Sequence, residues 1–516
     1  MATGFKRFWK LVFGRTTILA VLIITQIVLL FGGFAVLSSR VMAIQYCVVF
    51  LVIAILMYLL NSRMDSDFKL MWIIIILAAP VLGVAFFAFT KFQYGVDRIR
   101  RRINAVEDVQ KPYRTQNIDA VERIKNEMPR DVGIINYLDR QANFPVYDNA
   151  SVKYFPLGED KFKELVIQLE RAEEYIFMEY FIIARGYMWD TVLEILKRKV
   201  AEGVEVRLLY DGTNTLSLLP LNYARKLNEC GIQCKVFSPM IPFLATHQNN
   251  RDHRKIVVID GKVAFTGGIN LADEYINKIE RFGHWKDTAI MVQGDAVNSF
   301  TLMFLQMWDV GSEKMSDYSS YLRYGNLPEL GMRNGGYIVP YGDSPLDDVL
   351  TGECVYLDII NSATDYVHIM TPYLILDEEM IDCLTFAAHR GVDVKLILPH
   401  VPDKQYAYML ARSYYAELIK EGVKIYEYTP GFVHAKVFTS DDVKGVVGTI
   451  NLDFRSLYLH FECAAYIWRN PVIYDIEADF QDTLAQCQEI TIKDCKSYNK
   501  LKLLVGRILR LIAPLM

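Results

Sequence analysis

Two copies of one polar pattern stand out in this chain. The first runs His253-Arg254-Lys255, four residues, Asp260, six residues, then Gly267-Gly268-Ile269-Asn270. The second runs His434-Ala435-Lys436, four residues, Asp441, six residues, then Gly448-Thr449-Ile450-Asn451. In both copies the Asn follows the His by seventeen positions. Agreement at so many polar positions implies that two parts of the chain each give a His, a Lys and an Asn to one phosphate-handling site.

The residue types suit a phosphodiester. A lysine binds the non-bridging oxygens, while an imidazole attacks phosphorus or protonates the leaving oxygen. Asn270 and Asn451 can donate to the same oxygens in the transition state. A metal is not the natural ligand of His-x-Lys, because the ammonium repels a cation. Locally each copy reads as a β-hairpin. Ile256–Ile259 is a β-branched run, Asp260-Gly261 is a tight-turn pair, and Val263–Thr266 run back. Alternate residues of a strand share a face, which puts His253 beside Lys255 and His434 beside Lys436. Asp260 and Asp441 complete the catalytic motifs but lie on the opposite parity, so they read mainly as turn or framework residues.

These motifs are similar to the duplicated HxKx4Dx6G(G/S/T)xN signature of the phospholipase D superfamily. The stretches Asn250–Lys255, Gly267–Tyr275 and Asn451–Ser456 resemble the bacterial cardiolipin synthases more closely, and the resemblance runs over nearly the whole chain. One departure is His460, where that family often carries Asn ahead of the acidic residue at Glu462. The resemblance implies an α/β fold of two tandem phospholipase D-like sandwich repeats with mixed sheets, preceded by N-terminal transmembrane helices. It implies no metal and no cofactor. It also supports Glu462 and Asp287 as carboxylates that each hold an imidazole and stabilise its charged form. Arg251 and the Arg455-Ser456 pair are candidate phosphate contacts, since a guanidinium can grip two oxygens at once. His247, His368, His389 and His400 lack a partner pattern and read as packing or surface residues.

The elements that must position these groups recur too. Glu174–Phe181 reads as a buried strand, Trp189–Ala201 as a helix and Val204–Tyr210 as a strand. The series returns as Asp365–Tyr373, Glu378–His389 and Val392–Pro399. Tyr175 matches Tyr366 at an offset of 191, Gly203 matches Gly391 at 188, and His253 matches His434 at 181. That slow drift is what a duplication with small deletions leaves. The expected boundaries are a membrane region at 1–97, a polar connector at 98–150, repeats at 151–325 and 326–499, and an amphipathic tail at 500–516. A linker is expected near Ser312–Asp347.

Hydrophobic residues make up 52% of 516, and mean hydropathy is +0.16. The excess sits in three apolar stretches, Thr17–Leu37, Val41–Leu60 and Leu70–Phe89, each near the ~20 residues that cross a bilayer. The basic residues before the first (Lys6, Arg7, Lys10, Arg15) imitate a secretory signal, but its length and the lack of a small-residue cleavage site favour a retained anchor. Flanking charges divide six against six and leave the orientation open. Arg100–Arg102 could face anionic head groups or plain solvent. A net charge of −4 speaks against a nucleic-acid substrate. Eight scattered cysteines give no disulfide framework.

The expected protein is a multi-pass cell-membrane phosphatidyltransferase that joins two phosphatidylglycerol molecules into cardiolipin and glycerol through a phosphohistidine. Its partners are those lipids and the bilayer, with no nucleic acid and no obligatory protein partner. The resemblance favours His253 as nucleophile and His434 as acid–base, although the motifs are near-symmetric. A hydrolytic phospholipase D, another phosphatidyltransferase and a non-catalytic anionic-lipid scaffold are the alternatives.

Overall fold

The structure is a computed structural model that describes residues 39–91, 94–129, 131–239, 249–325, 333–347 and 349–515. The expected first apolar span Thr17–Leu37, its basic flank and His247 lie outside those residues, as does part of the expected linker. The chain divides into two compact units. One holds residues 1–98, 240–249 and 511–516, and the other holds 99–239 and 250–510.

In the larger unit, two sheets repeat one plan. The first has the order Ser151–Phe155, Ala289–Gln293, Val263–Gly267, Ile256–Ile259, Tyr175–Tyr180, Glu205–Asp211, Gln233–Phe237. The second has Tyr337–Asp343, His460–Trp468, Lys444–Gly448, Val437–Ser440, Tyr366–Met370, Asp393–Pro399, Lys424–Tyr428. Along these seven strands of each sheet, the first four pairings are antiparallel and the last two parallel; Arg333–Asn334 adds an antiparallel edge beside Ser151–Phe155, and Cys487–Ile490 one beside Lys424–Tyr428. The mixed sheets expected from the repeated strand–helix–strand order are therefore present. Parallel neighbours need helical crossovers, and Tyr187–Ala201 and Glu378–His389 supply them. Every residue of Tyr175–Tyr180 is buried, as its unbroken apolar run requires.

The hairpins form as their sequences dictate. Asp260 and Gly261 take φ of 53° and 65°, and Asp441 and Asp442 take 54° and 56°. Each leading aspartate then ties its turn to the central strand. Asp260 accepts from the backbone N–H groups of Glu173, Glu174 and Tyr175 at 2.8–2.9 Å. Asp441 accepts from Thr364, Asp365 and Tyr366 at 2.7–3.0 Å.

The smaller unit corrects one expectation. Leu70–Phe89 is not one helix. It breaks into Ser66–Ala78 and Pro80–Lys91, because Pro80 has no N–H to give and forces the residue before it out of helical conformation; Ala79 sits at φ −144°. The two short helices pack back on each other and on Ser39–Asn61 through Val52, Leu59, Met71, Trp72, Ile76 and Phe87. Gly83 permits the approach, since a Cβ there would lie 2.7 Å from Ile76 Cα. Among the described residues, no helix is long and apolar enough to cross a membrane.

Two further segments belong to the larger unit. Arg100 and Arg101 are exposed and Arg102 is half-buried, and two of the three also tie the connector to the enzyme. Arg100 Nε donates to Leu346 O at 2.8 Å, and Arg102 Nη2 donates to Ser312 O at 2.7 Å. The helix Lys500–Arg510 lies on Gln405–Lys420, so close that a Cβ on Gly506 would overlap Met409 O. Arg510 fixes it, donating to Ser413 Oγ at 2.9 Å and Glu417 Oε2 at 3.0 Å.

Candidate active site

Two short strands cross between the repeats and build the site. Arg251-Asp252 pairs in parallel with His460-Phe461 of the second repeat, and His253 N donates to Phe461 O at 2.9 Å. Reciprocally, Gly431–Val433 pairs in parallel with His284–Lys286 of the first repeat, and His434 N donates to Lys286 O at 2.7 Å. Each histidine therefore meets the carboxylate of the other repeat. His253 Nδ1 is 2.9 Å from both oxygens of Glu462, and His434 Nδ1 is 2.7 Å from Asp287 Oδ2. Both carboxylates are fully buried. With Nδ1 so engaged, Nε2 is the nitrogen left for chemistry at phosphorus.

The Gly268/Thr449 difference between the motifs now has a reason. A Cβ at Gly268 would overlap Asp287 Oδ1. At the matching place Thr449 instead donates its hydroxyl to Glu462 Oε2.

The lysines lie beside their own histidines, as strand parity predicts. Lys255 Nζ donates to His253 O at 2.6 Å, and Lys436 Nζ donates to His434 O. Burial is the leading cause of every shift here. It brings Lys255 down to about 8 and Lys436 to about 7. Burial, then the Lys436 charge, takes His434 to about 4 against the pull of Asp287. Burial, then Lys255, Lys436 and His434, holds His253 well below its ordinary value. The pocket thus holds two neutral imidazoles among cationic groups, an environment that favours an anion.

The remaining predicted residues divide. Asp260 and Asp441 hold the hairpin turns and do not enter the site. Asn270 is tied to the scaffold: Oδ1 accepts from Ile182 N at 2.9 Å, and Nδ2 gives one of its two N–H groups to Tyr275 Oη at 2.8 Å. Asn451 Nδ2 likewise donates to Ser456 Oγ at 3.0 Å. Each asparagine thus orients a hydroxyl five residues downstream, and that hydroxyl keeps its own proton to give. Tyr275 packs against His434 with ring centroids 5.5 Å apart. Sequence reasoning passed over Tyr275; the matched spacing to Ser456 was the available signal. Arg251 Nη1 donates to Ser238 O at 2.9 Å and lies 3.5 Å from Asp211, so that nitrogen braces the strand entering the site. Arg455 is half-buried, and its charge reaches Arg251, Asp453 and His460.

Arg254, between His253 and Lys255, faces away into a buried ion group with Glu179 (2.8 Å) and Asp252 (3.6 Å). His368, His389 and His400 pair with Glu477, Glu421 and Glu427 at 2.8–3.0 Å. Among the described residues, one set of groups has the spacing to hold a metal: ligand atoms of His253, His460 and Glu462 lie within 4.8 Å of one another. Lys255 carries its charge against the same imidazole, which opposes a cation there.

Comparison with known proteins agrees with this architecture. Residues 165–308 and 356–484 match the family model described as "Cardiolipin synthase, PLD-like domain". The chain is 34% identical over 461 residues to cardiolipin synthase 2 of Bacillus anthracis, covering 89% of this chain and 88% of that one. It is 31% identical over 454 residues to a cardiolipin synthase of Alkalihalophilus pseudofirmus, covering 87% and 88%. An uncharacterized protein of Streptococcus mutans is 52% identical over 460 residues, covering 89% and 99%. Among solved structures, phosphatidylserine synthase of Haemophilus influenzae shares the fold at a TM-score of 0.56 and 12% identity, over 71% of this chain and 95% of that one.

Proposed function

Because the chain belongs to the cardiolipin synthase family with phospholipase D-like domains, we propose that it is a phosphatidyltransferase that makes cardiolipin from two phosphatidylglycerol molecules. The observation that carries this reading is the reciprocal pairing of two histidines with two buried carboxylates, each beside a lysine and close enough to feel the other's charges. His253 Nε2 attacks phosphorus, forming a P–N bond as the P–O bond to glycerol breaks. His434, protonated, gives its proton to the departing oxygen. The anionic phosphodiester between the imidazoles offsets the burial that otherwise keeps His434 neutral. His434 then takes the proton of a second lipid's hydroxyl, which attacks phosphorus and releases His253. Lys255 and Lys436 carry the charge on the non-bridging oxygens, and the hydroxyls of Tyr275 and Ser456 donate to them. Glu462 and Asp287 support the positive charge that each imidazole acquires.

The lipid is met at a bilayer. Helix Lys500–Arg510 spends one face on the enzyme and turns Leu501, Leu504 and Ile508 outward, at 70%, 53% and 55% exposure. Lys500, Lys502 and Arg507 flank that stripe, and the helix has no acidic residue. An apolar face directed away from the protein, with cations at its margins, suits the head-group boundary. In the smaller unit, Phe50, Ile53, Met57 and Leu60 are likewise exposed, and residues 1–97 are read as the membrane-associated region.

Labelled phosphatidylglycerol tests the function. Cardiolipin and free glycerol are expected, and added glycerol should reverse the reaction, since the same base serves either alcohol. Phosphatidic acid as the sole product would establish a hydrolase instead.

A further inference from the structure

His460 is a third imidazole in the site that the mechanism leaves unused. It stands two residues before Glu462 on one strand, so both side chains share a face. Its ring lies 5.5 Å from that of His253 and 6.4 Å from Phe181, centroid to centroid, and it is buried. Among the described residues, neither ring nitrogen has a hydrogen-bond partner. Nδ1 is 3.8 Å from Glu462 Oε1, too far for a hydrogen bond, and Glu462 is already taken by His253 and Thr449.

Packing alone does not explain this choice. In the first repeat the position two before the carboxylate is Trp285, whose ring covers His434 at 5.3 Å. The indole there also has its Nε1 buried without a partner, but it offers a single donor, where the imidazole leaves a donor and an acceptor unmet. A buried polar ring without a partner is costly, so the imidazole is explained if it meets a ligand group. Burial holds His460 down at about 3, so it offers one N–H donor and one acceptor nitrogen throughout the physiological range. A hydroxyl, itself donor and acceptor, complements that pair. An ammonium head group would instead enter the field of Lys255 and Lys436.

Resting on the phosphatidyl-transfer reading above, we propose that His460 hydrogen-bonds a glycerol hydroxyl of the lipid head group and thereby selects a polyol as acceptor over water. It acts as a positioning residue, and no bond to phosphorus involves it.

The test uses the full chain in mixed micelles of phosphatidylglycerol, with cardiolipin and phosphatidic acid quantified together. His460→Leu is expected to raise KM for phosphatidylglycerol and the phosphatidic acid to cardiolipin ratio, each about tenfold, the effect of one lost hydrogen bond. His460→Asn, which keeps a donor and an acceptor, should restore both to within about threefold, on that same basis. If the leucine variant does not fold, His460→Phe gives the same reading with a planar apolar ring. An apolar variant with wild-type KM and product ratio would overturn the proposal. So would a fall in kcat alone that Asn does not rescue. A wild-type chain releasing only phosphatidic acid would refute the transfer reading, and this assignment with it.

Discussion

Replacing Glu462 by Gln isolates the charge that crosses from the second repeat to His253. The side chain keeps its shape, but the contacts at 2.9 Å from both oxygens to Nδ1 lose their anion. Two effects follow. The carboxylate no longer stabilises positive charge on the imidazole, worth about 4 kcal/mol for charge centres roughly 4 Å apart at an effective dielectric of 20. An amide can also donate to Nδ1, which moves the ring proton to Nε2 and removes the nucleophilic lone pair. The first effect alone predicts a loss of about 10³ in kcat; the second carries it toward the ~10⁴ seen when triad hydrolases lose the same charge. Initial rates of cardiolipin formation by purified protein would measure this, with thermal melting to confirm the fold. Nitrogen-15 shifts of the imidazoles would show where the tautomer changes. Turnover within tenfold of wild type, or a tautomer change at His434 rather than His253, would refute the crossed pairing.

Other expectations follow from the same contacts. The folded-state values of about 8 for Lys255 and about 7 for Lys436 lie below their ordinary 10.5. The unfolded chain therefore holds more protons between pH 7 and 10.5, and these groups should make stability rise with pH there, while turnover falls as the ammonium charges are lost. Melting curves and rates at pH 7 and 9 should move in opposite directions. Asp260→Ala removes the acceptor of three backbone donors, one of them buried, and should cost about 2–4 kcal/mol in denaturant unfolding, while Asp441→Ala, whose donors at Thr364 and Asp365 are exposed to water, should cost less; kcat of the folded fraction should stay within a few-fold in both. Glu179→Ala removes the nearer partner of buried Arg254, leaves it only Asp252 at 3.6 Å, and should cost up to about 3–5 kcal/mol by the same measurement. Changing Leu501, Leu504 and Ile508 together to Gln should lower turnover on anionic vesicles several-fold and leave turnover in mixed micelles unchanged.

What could be read from the sequence was what depends on local spacing. The His/Lys parity, the hairpins and the strand–helix–strand order repeat at offsets that one chain displays to itself. The partner of each imidazole was not readable, because it depends on Arg251-Asp252 adding to a strand more than two hundred residues away. The hydrogen bonds that the asparagines make within the fold were not readable either. An amide near a phosphate site can serve the ligand or the scaffold with the same atoms, and only the position of Ile182 N and Tyr275 Oη decides. The stretch Leu70–Phe89 was misjudged because hydropathy sums over a segment, whereas Pro80 acts at one peptide.

The crossing has a consequence for how two near-identical motifs divide a reaction. If each histidine took its carboxylate from its own repeat, either half could assemble a complete imidazole–carboxylate pair. Here neither half can, since the backbone N–H and Nδ1 of each histidine bond to the other repeat. The same exchange lets the two surroundings differ while the scaffold stays symmetric. Glu462 with Thr449 and His460 surrounds His253, whereas Asp287 with Gly268 and Trp285 surrounds His434. On the proposed mechanism a symmetric pair of lysines would fix where the phosphate goes, and the unequal neighbours are where the two imidazoles can acquire unequal tasks.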